Sequence, residues 1–227
     1  MCGRYLVDEE VYADMWILMN TLDTSPAAVP GTAAAAPAAI PGTAATDPNI
    51  SAAGAQNLAI GEVFPTNIAP VISVDDISAG LKALGCKWGF PHWKGSGVII
   101  NARAETALEK KMFRAPLLSR RCVIPSAGFY EWSRAGGGKK KDKYLLRLPE
   151  KRLLFMAGMI NLFPDENGEM YGAFVVLTTT ANPSVSPIHD RMPVILAEDE
   201  KINWLRDEDF MEYALYRPGP ELIADIC

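Results

Sequence analysis

Residues 121–197 decide the fold: RCVIPSAGFYEW (121–132), KYLLRL (143–148), RLLFMAGMI (152–160), GAFVVLTTT (172–180) and MPVILA (192–197). Each segment is short, apolar and rich in β-branched or aromatic residues, and turn-forming residues separate them, as strands joined by tight connections require. GGGKKKD (136–142) suits a hairpin loop between the first two. Upstream, GEVFPTNIAPVI (61–72) alternates apolar runs with prolines, which predicts extended chain and an edge strand, and GVII (97–100) reads as a buried strand. Helical patterns are short: 8–19, 75–83, 103–113, and two near 198–206 and 207–215. Without regular βαβ alternation, the class is α+β: a mainly antiparallel sheet or open barrel with short peripheral helices.

One stretch stands apart. Residues 23–57 consist mostly of Ala, Pro, Gly, Thr and Ser, with almost no large apolar side chains and almost no charge. Such a segment buries too little surface to offset its ordering entropy, so an insert outside the core of a single domain spanning 1–227 is expected.

Composition narrows the function. Hydrophobic residues make up 49% of the chain, enough for a sizeable core, yet no apolar run approaches the roughly 18 residues of a membrane span. The opening MCGRYLVDEE lacks the layout of a signal peptide, so the cytoplasm is the expected compartment. A net charge of −5 argues against a generally basic nucleic-acid coat but allows a local cationic groove. Cys2, Cys86, Cys122 and Cys227 form no CxxC pair, and His92 and His189 are the two histidines, so neither a metal centre nor a disulfide framework is expected.

Several residues suggest chemistry. A small residue after Met1 permits methionine removal, which would leave Cys2 with an amine and a thiol on adjacent carbons. These titrate near ~7.7–8.0 and ~8.5, so both are partly nucleophilic at neutral pH. The amine forms Schiff bases with aldehydes, and the thiol can then close a five-membered thiazolidine. The plain alternative is an incidental cysteine at a frayed terminus. Asn101 and Arg103 lie where a strand meets a helix, which suits a cleft, although on spacing alone helix capping is the better reading of Asn101. Glu131, among Phe129, Tyr130 and Trp132, is either a desolvated proton shuttle or an outward strand residue beside inward aromatics. His189, in SPIHDRMPVIL, suits proton transfer, or a turn in which Asp190 and Arg191 pair at the surface. His92 suits a packed loop. The lysines of the 139–143 loop suit a solvated tip. Trp88, Phe90 and Trp93 offer base-stacking faces or core packing.

Together these pieces resemble one family, the SOS response-associated peptidases. The matching stretches are MCGRY (1–5), PTNIAPV (65–71), WGF and PHW (88–93), INARAET (100–106), RCVIPSAGFYEW (121–132), AGM (157–159), LTTTAN (177–182) and HDRMPVIL (189–196). The resemblance implies a pseudo-barrel that binds single-stranded DNA carrying abasic sites, acting as a monomer without cofactor or metal, and nucleoid-associated when on DNA. It implies that Cys2 forms a thiazolidine crosslink after self-processing of Met1, and that Asn101 holds the reacting N-terminus. Glu131 would move protons and assist Met1 removal, and His189 would assist opening of the abasic sugar. Arg4, Arg103, Lys111 and Arg191 are the basic positions expected at phosphates, with Trp88, Phe90 and Trp93 at bases. The stretch from Trp88 to Trp93 is one residue shorter than the common form, and the 23–57 insert has no counterpart in the motifs. Two rivals remain: an N-terminal-nucleophile amidohydrolase such as a glutamine amidotransferase, which also begins Met-Cys-Gly but should carry a glutamine-binding motif, and a noncovalent single-strand binder.

Overall fold

The computed structural model describes residues 2–14, 58–74, 80–92, 95–133 and 141–227. In chain order its strands are β1 (Arg4–Val7), β2 (Gly61–Val63), β3 (Ile68–Val74), β4 (Leu81–Trp88), β5 (Phe90–Pro91), β6 (Val98–Ile99), β7 (Asn101–Arg103) and β8 (Arg121–Ser126). Then come β9 (Gly128–Ser133), β10 (Asp142–Arg147), β11 (Leu154–Pro164), β12 (Met170–Thr180), β13 (Arg191–Pro193), β14 (Ile195–Leu196) and β15 (Ile223–Ile226).

Hydrogen bonding closes five of these strands into a ring, β12–β4–β3–β8–β11 and back to β12, while β7, β13 and β14 attach at its rim. Most pairings are antiparallel; β12 is parallel to both β4 and β7. A second sheet runs β15–β10–β9–β1–β2, all antiparallel. The architecture is therefore the mainly antiparallel α+β barrel that the sequence predicts.

Alternation along the strands sorts side chains into two cores. Met156 and Ile160 of β11, with Phe174 and Val176 of β12, join Cys2, Tyr5, Val7, Trp88 and Phe129. The intervening Phe155, Ala157, Met159, Ala173, Val175 and Leu177 pack on the other side against Phe113, Leu117, Trp204 and Leu215 of the helices. Gly158 is required where β8, β11 and β12 meet: a Cβ there would lie 2.4 Å from Ile124 Cδ1 and 2.7 Å from the Val175 carbonyl.

Three local expectations change. Leu81–Ala83 belong to β4 rather than a helix, because they complete a ladder with Ile72–Val74 of β3; residues 75–79 lie outside the described part. GVII yields only the two-residue strand β6, half-buried at the rim rather than in a core. The 103–113 helix divides into Ala104–Ala107 and Lys111–Ser119, with Arg103 still extended. Residues 9–14 are helical, started by Asp8, whose carboxylate accepts from the Val11 amide at 2.8 Å; the rest of 8–19 and the 23–57 insert lie outside the described residues. At the other end the expected helices are present as Lys201–Arg206 and Glu208–Tyr216.

Candidate active site at the N-terminus

β1 lies between β2 and β9, and its register sets Arg4 opposite Tyr130 and Tyr5 opposite Phe129. The residues just before Arg4 are thereby led along β9 toward Glu131. Cys2 is buried, 1% exposed, and belongs to the core cluster of Tyr5, Trp88 and Val176. Its thiol lies 3.5 Å from the Arg4 carbonyl. An N-terminal residue held this way is not the frayed end that position alone suggests.

Asn101 reaches Cys2 from across the fold. β7 pairs in parallel with β12, which places Asn101 beside Val176, a member of the Cys2 cluster. Asn101 Nδ2 donates to the Cys2 carbonyl at 2.9 Å, linking residues 99 apart in sequence. Arg103, not Asn101, occupies the helix N-cap, and it makes no side-chain cap. Asn101 Oδ1 is buried and accepts no hydrogen bond among the described residues. A buried acceptor of this kind is costly and uncommon, and it lies beside the residue whose amine would be released by methionine removal.

On β9, Phe129, Glu131 and Ser133 share the fully buried face, at 0%, 2% and 5% exposure, whereas Trp132 is more open. Glu131 therefore points inward, not out from among inward aromatics. Burial raises its carboxyl above the usual range; the positive N-terminus opposes this and Asp190 adds to it. Burial, with the nearby Glu131 charge, also pushes the Cys2 thiol far up, so sulfur is held as a thiol at neutral pH. A thiol in this state needs a base at hand before it can attack.

His189 closes the group. Its Nε2 lies 4.0 Å from Glu131 Oε2, and its Nδ1 accepts from the Arg191 amide at 3.0 Å. Asp190 Oδ1 also lies 2.8 Å from Nδ1. One ring nitrogen cannot accept from an amide and donate to a carboxylate at once. The amide is fixed by the chain, while the Asp190 side chain is 86% exposed, and the amide contact favours a lone pair on Nδ1 and a proton on Nε2, the nitrogen that faces Glu131. Cys2, Asn101, Glu131 and His189 are thus brought to one place.

The residues expected at DNA divide. Arg4 is 38% exposed in its side chain and stands between Phe64 and Trp132, its guanidinium carbon 4.5 Å and 5.0 Å from their ring centres. Its Nη1 is 3.4 Å from Glu62. Arg103 is exposed beside Thr178. Arg191 is occupied: it forms a two-pronged pair with Glu105, 2.9 Å on one arm, and also donates to the Thr178 carbonyl. Lys111 is exposed on the helical side of the barrel wall, lining a concavity of about 580 Å³ with Arg120 and Asn161. Alternation puts Asn161 on the side of Phe155 and Ala157, away from the Cys2 cluster.

Trp88 and Phe90 are corrections. Both are 0% exposed, with Trp88 between Tyr5 and Phe174 and its Nε1 donating to the Ile100 carbonyl at 3.1 Å. They are core, and no ring face is left for a base. Trp93 lies outside the described residues. The exposed aromatic beside Arg4 is Phe64, 40% exposed, carried on a turn whose Thr66 has φ +74°. A β-branched residue in the left-handed region is strained, and the Thr66 amide bond to the Trp88 carbonyl at 2.8 Å holds it there. Sequence inspection missed Phe64 because a single aromatic before Pro65 has no distinguishing pattern. It missed Glu105 as well, whose first-turn position is explained by helix polarity alone.

Among the described residues no group of three or more His, Cys, Asp or Glu is arranged to hold a metal ion, and no helix is long and apolar enough to cross a membrane.

Fold and site together define a class: a mixed β-barrel protein whose Cys2 is bonded by the Asn101 amide and lies near the Glu131 carboxyl, which the His189 imidazole adjoins. The chain belongs to the SOS response associated peptidase (SRAP) family, which matches residues 1–221. It is similar to the abasic site processing protein YoaM of Bacillus subtilis, 36% identical over 66% of this chain and 69% of YoaM. The B. subtilis abasic site processing protein YoqW is 35% identical over 70% of this chain and 77% of its own. The abasic site processing protein HMCES of Gallus gallus is 38% identical over 56% of this chain and 45% of HMCES. Among solved structures, a Bacteroides thetaiotaomicron protein superimposes with TM-score 0.63 at 29% identity, covering 73% of this chain and 77% of that one.

Proposed function

We propose that this chain processes abasic sites in single-stranded DNA by bonding covalently to the sugar aldehyde through Cys2, once Met1 has been removed. The observation that carries this reading is the Asn101 bond to the Cys2 carbonyl, which holds the N-terminal residue beside Glu131. The names of the B. subtilis and chicken relatives support the substrate class.

The steps balance with the residues present. Hydrolysis of the Met1–Cys2 bond consumes one water and frees the Cys2 amine. The closed sugar opens when Glu131 takes the C1 hydroxyl proton, the C1–ring-oxygen bond breaks, and the same proton is delivered to the ring oxygen. Nε2–H of His189 supports that oxygen by a hydrogen bond while negative charge builds on it, as a neutral imidazole can. The Cys2 ammonium passes a proton to Glu131 and the freed amine adds to the aldehyde carbon; Glu131 returns that proton to the carbinolamine hydroxyl, which leaves as water, giving an iminium. The thiol adds to the same carbon and its proton passes to Glu131. Aldehyde plus aminothiol gives thiazolidine plus one water. The buried thiol makes Glu131 necessary in the last step, because little thiolate exists without it.

Arg4, partly exposed, and Arg103, exposed, are basic groups available to phosphate, and Phe64 beside Arg4 is an exposed ring available for stacking. The test is a denaturing gel with abasic single-stranded DNA. Wild type gives a band that survives heat and denaturant, and Cys2→Ser gives one only after borohydride trapping. A heat-stable band of equal yield from Cys2→Ser would remove the ring-forming thiol from the mechanism.

A further inference from the structure

We propose that Lys143 joins Arg4 in a two-cation clamp for one phosphodiester of the bound strand, and that Glu62 fills the clamp when no strand is present. That the ligand is a single strand rests on the function proposed above; the arrangement of the three side chains does not.

The strand order β10–β9–β1–β2 sets the parts side by side. Arg4 stands opposite Tyr130, Lys143 opposite Trp132, and Glu62 opposite Leu6. By alternation these residues project from the face of the sheet opposite that of Tyr5, Phe129 and Glu131. Arg4 is two residues from Cys2, so this face adjoins the reacting residue. Glu62 Oε2 lies 3.4 Å from Arg4 Nη1, and Glu62 Oε1 is paired with Lys143 Nζ. One carboxylate therefore joins two cations carried on strands either side of β9. Lys143, which the sequence groups with a solvated loop tip, is a strand residue whose side chain is 23% exposed.

Each cation has a seat that does not depend on Glu62. Lys143 Nζ lies 4.0 Å from the centre of the Tyr130 ring, and the Arg4 guanidinium stands between Phe64 and Trp132. A ring face holds a cation while leaving N–H groups free for an anion. The Arg4 contact to Glu62 is longer than the roughly 2.7–2.9 Å of a well-made charge-assisted bond. Its two side chains are 38% and 30% exposed, and an ion pair so open to water contributes little. The carboxylate can therefore swing into solvent while the cations stay. Two non-bridging phosphate oxygens then present the same pair of anionic acceptors. Because Glu62 competes with phosphate, it holds down the affinity for strands that offer Cys2 no aldehyde. An intact strand must displace it for noncovalent contacts alone, whereas an abasic strand is retained by the covalent bond.

The test is a fluorescence anisotropy titration of a labelled, undamaged oligothymidylate with the full chain over a range of KCl concentrations. Lys143→Gln should weaken binding about fivefold near about 0.1 M salt and lower the slope of log K against log salt by about 0.7, the share of one phosphate contact on a single strand. Lys143→Arg, which keeps the charge and the ring contact, should restore both. Glu62→Gln should tighten binding about fivefold and steepen the slope, because two partly exposed ion pairs no longer have to be broken. Glu166→Gln, an equal change in net charge on the exposed turn between β11 and β12, should do neither. In the double variant of Glu62 and Lys143 the gain from removing the carboxylate should shrink, because one of the two cations it masks is gone. Thermal melts identify any variant that has lost its fold; for Lys143→Gln, Lys143→Met, which keeps the stem on Tyr130, supplies the same comparison. If Glu62→Gln weakens binding, the carboxylate orders the cations rather than competing for them, and the proposal is overturned. An unchanged affinity and slope in Lys143→Gln overturn it as well. If the variants follow the predicted order on the intact strand while no form crosslinks abasic DNA, the clamp stands and the proposed chemistry falls. If crosslinking is intact and all forms bind alike, the chemistry stands and the clamp falls.

Discussion

Asn101→Ala separates a functional asparagine from a structural one. The substitution removes the 2.9 Å bond to the Cys2 carbonyl. Losing such a bond and leaving a buried carbonyl unpaired costs about 1–3 kcal/mol. It also removes Oδ1, a buried acceptor without a partner, and so relieves a desolvation cost of about the same 1–3 kcal/mol. The two largely cancel, so net stability should change by less than about 1 kcal/mol, or a few degrees in melting temperature for a chain of this size. The rate should not be spared: a reacting amine displaced by about 1 Å costs on the order of 100-fold. Asn101→Asp provides the contrast, because it sets a carboxylate against a carbonyl next to Glu131. Its folded pKa is raised, so its stability is retained at low pH and lost as pH rises through that value. Thermal melts between about pH 5 and 8, alongside single-turnover crosslinking, read both effects. If Asn101→Ala destabilises by several kcal/mol and crosslinks at the wild-type rate below its melting temperature, Asn101 is a structural bond and no more.

Glu131→Gln should slow crosslinking far more than DNA binding. Because burial raises the Glu131 pKa, its favourable balance is present below the ordinary carboxylate value and is lost as pH rises through the folded value; wild type should therefore lose melting temperature relative to the variant as pH rises above the ordinary carboxylate range. Alkylation followed by peptide mass spectrometry should find Cys227, which is exposed, modified first, with buried Cys2, Cys86 and Cys122 slow; rapid labelling of Cys2 in the unprocessed chain would contradict its burial. Neutralising Arg4 and Arg103 should weaken DNA binding and flatten its salt dependence, by up to about one unit of slope for each phosphate no longer neutralised. An unchanged slope would remove them from the interface.

The strands were legible because their apolar segments are bounded by turn residues, whereas the side Glu131 takes was left open by alternation and is decided by its burial with Phe129. It was less informative where the ladder competes with helical spacing: Leu81–Ala83 carry a weak helical pattern, but their bonds go to β3. The site was legible only through the family motifs. A hydrogen bond between residues 2 and 101 leaves no trace in local spacing, which is why capping explained Asn101 as well. Trp88 and Phe90 misled because a ring that fills a core and a ring that stacks on a base have the same composition; burial alone separates them. The pairing of Arg191 with a carboxylate 86 residues away likewise leaves no trace in local spacing.

The central claim is that the bond to DNA forms through a free aminothiol at Cys2. Intact mass spectrometry of the heat-stable adduct, followed by peptide mapping, tests it directly. The predicted adduct has the mass of the chain lacking Met1 plus the DNA minus one water, with the attachment on the N-terminal Cys2 peptide and both its amine and its thiol unavailable to labelling. An adduct that retains Met1, or one that maps to an internal amine such as Lys111, would contradict the account.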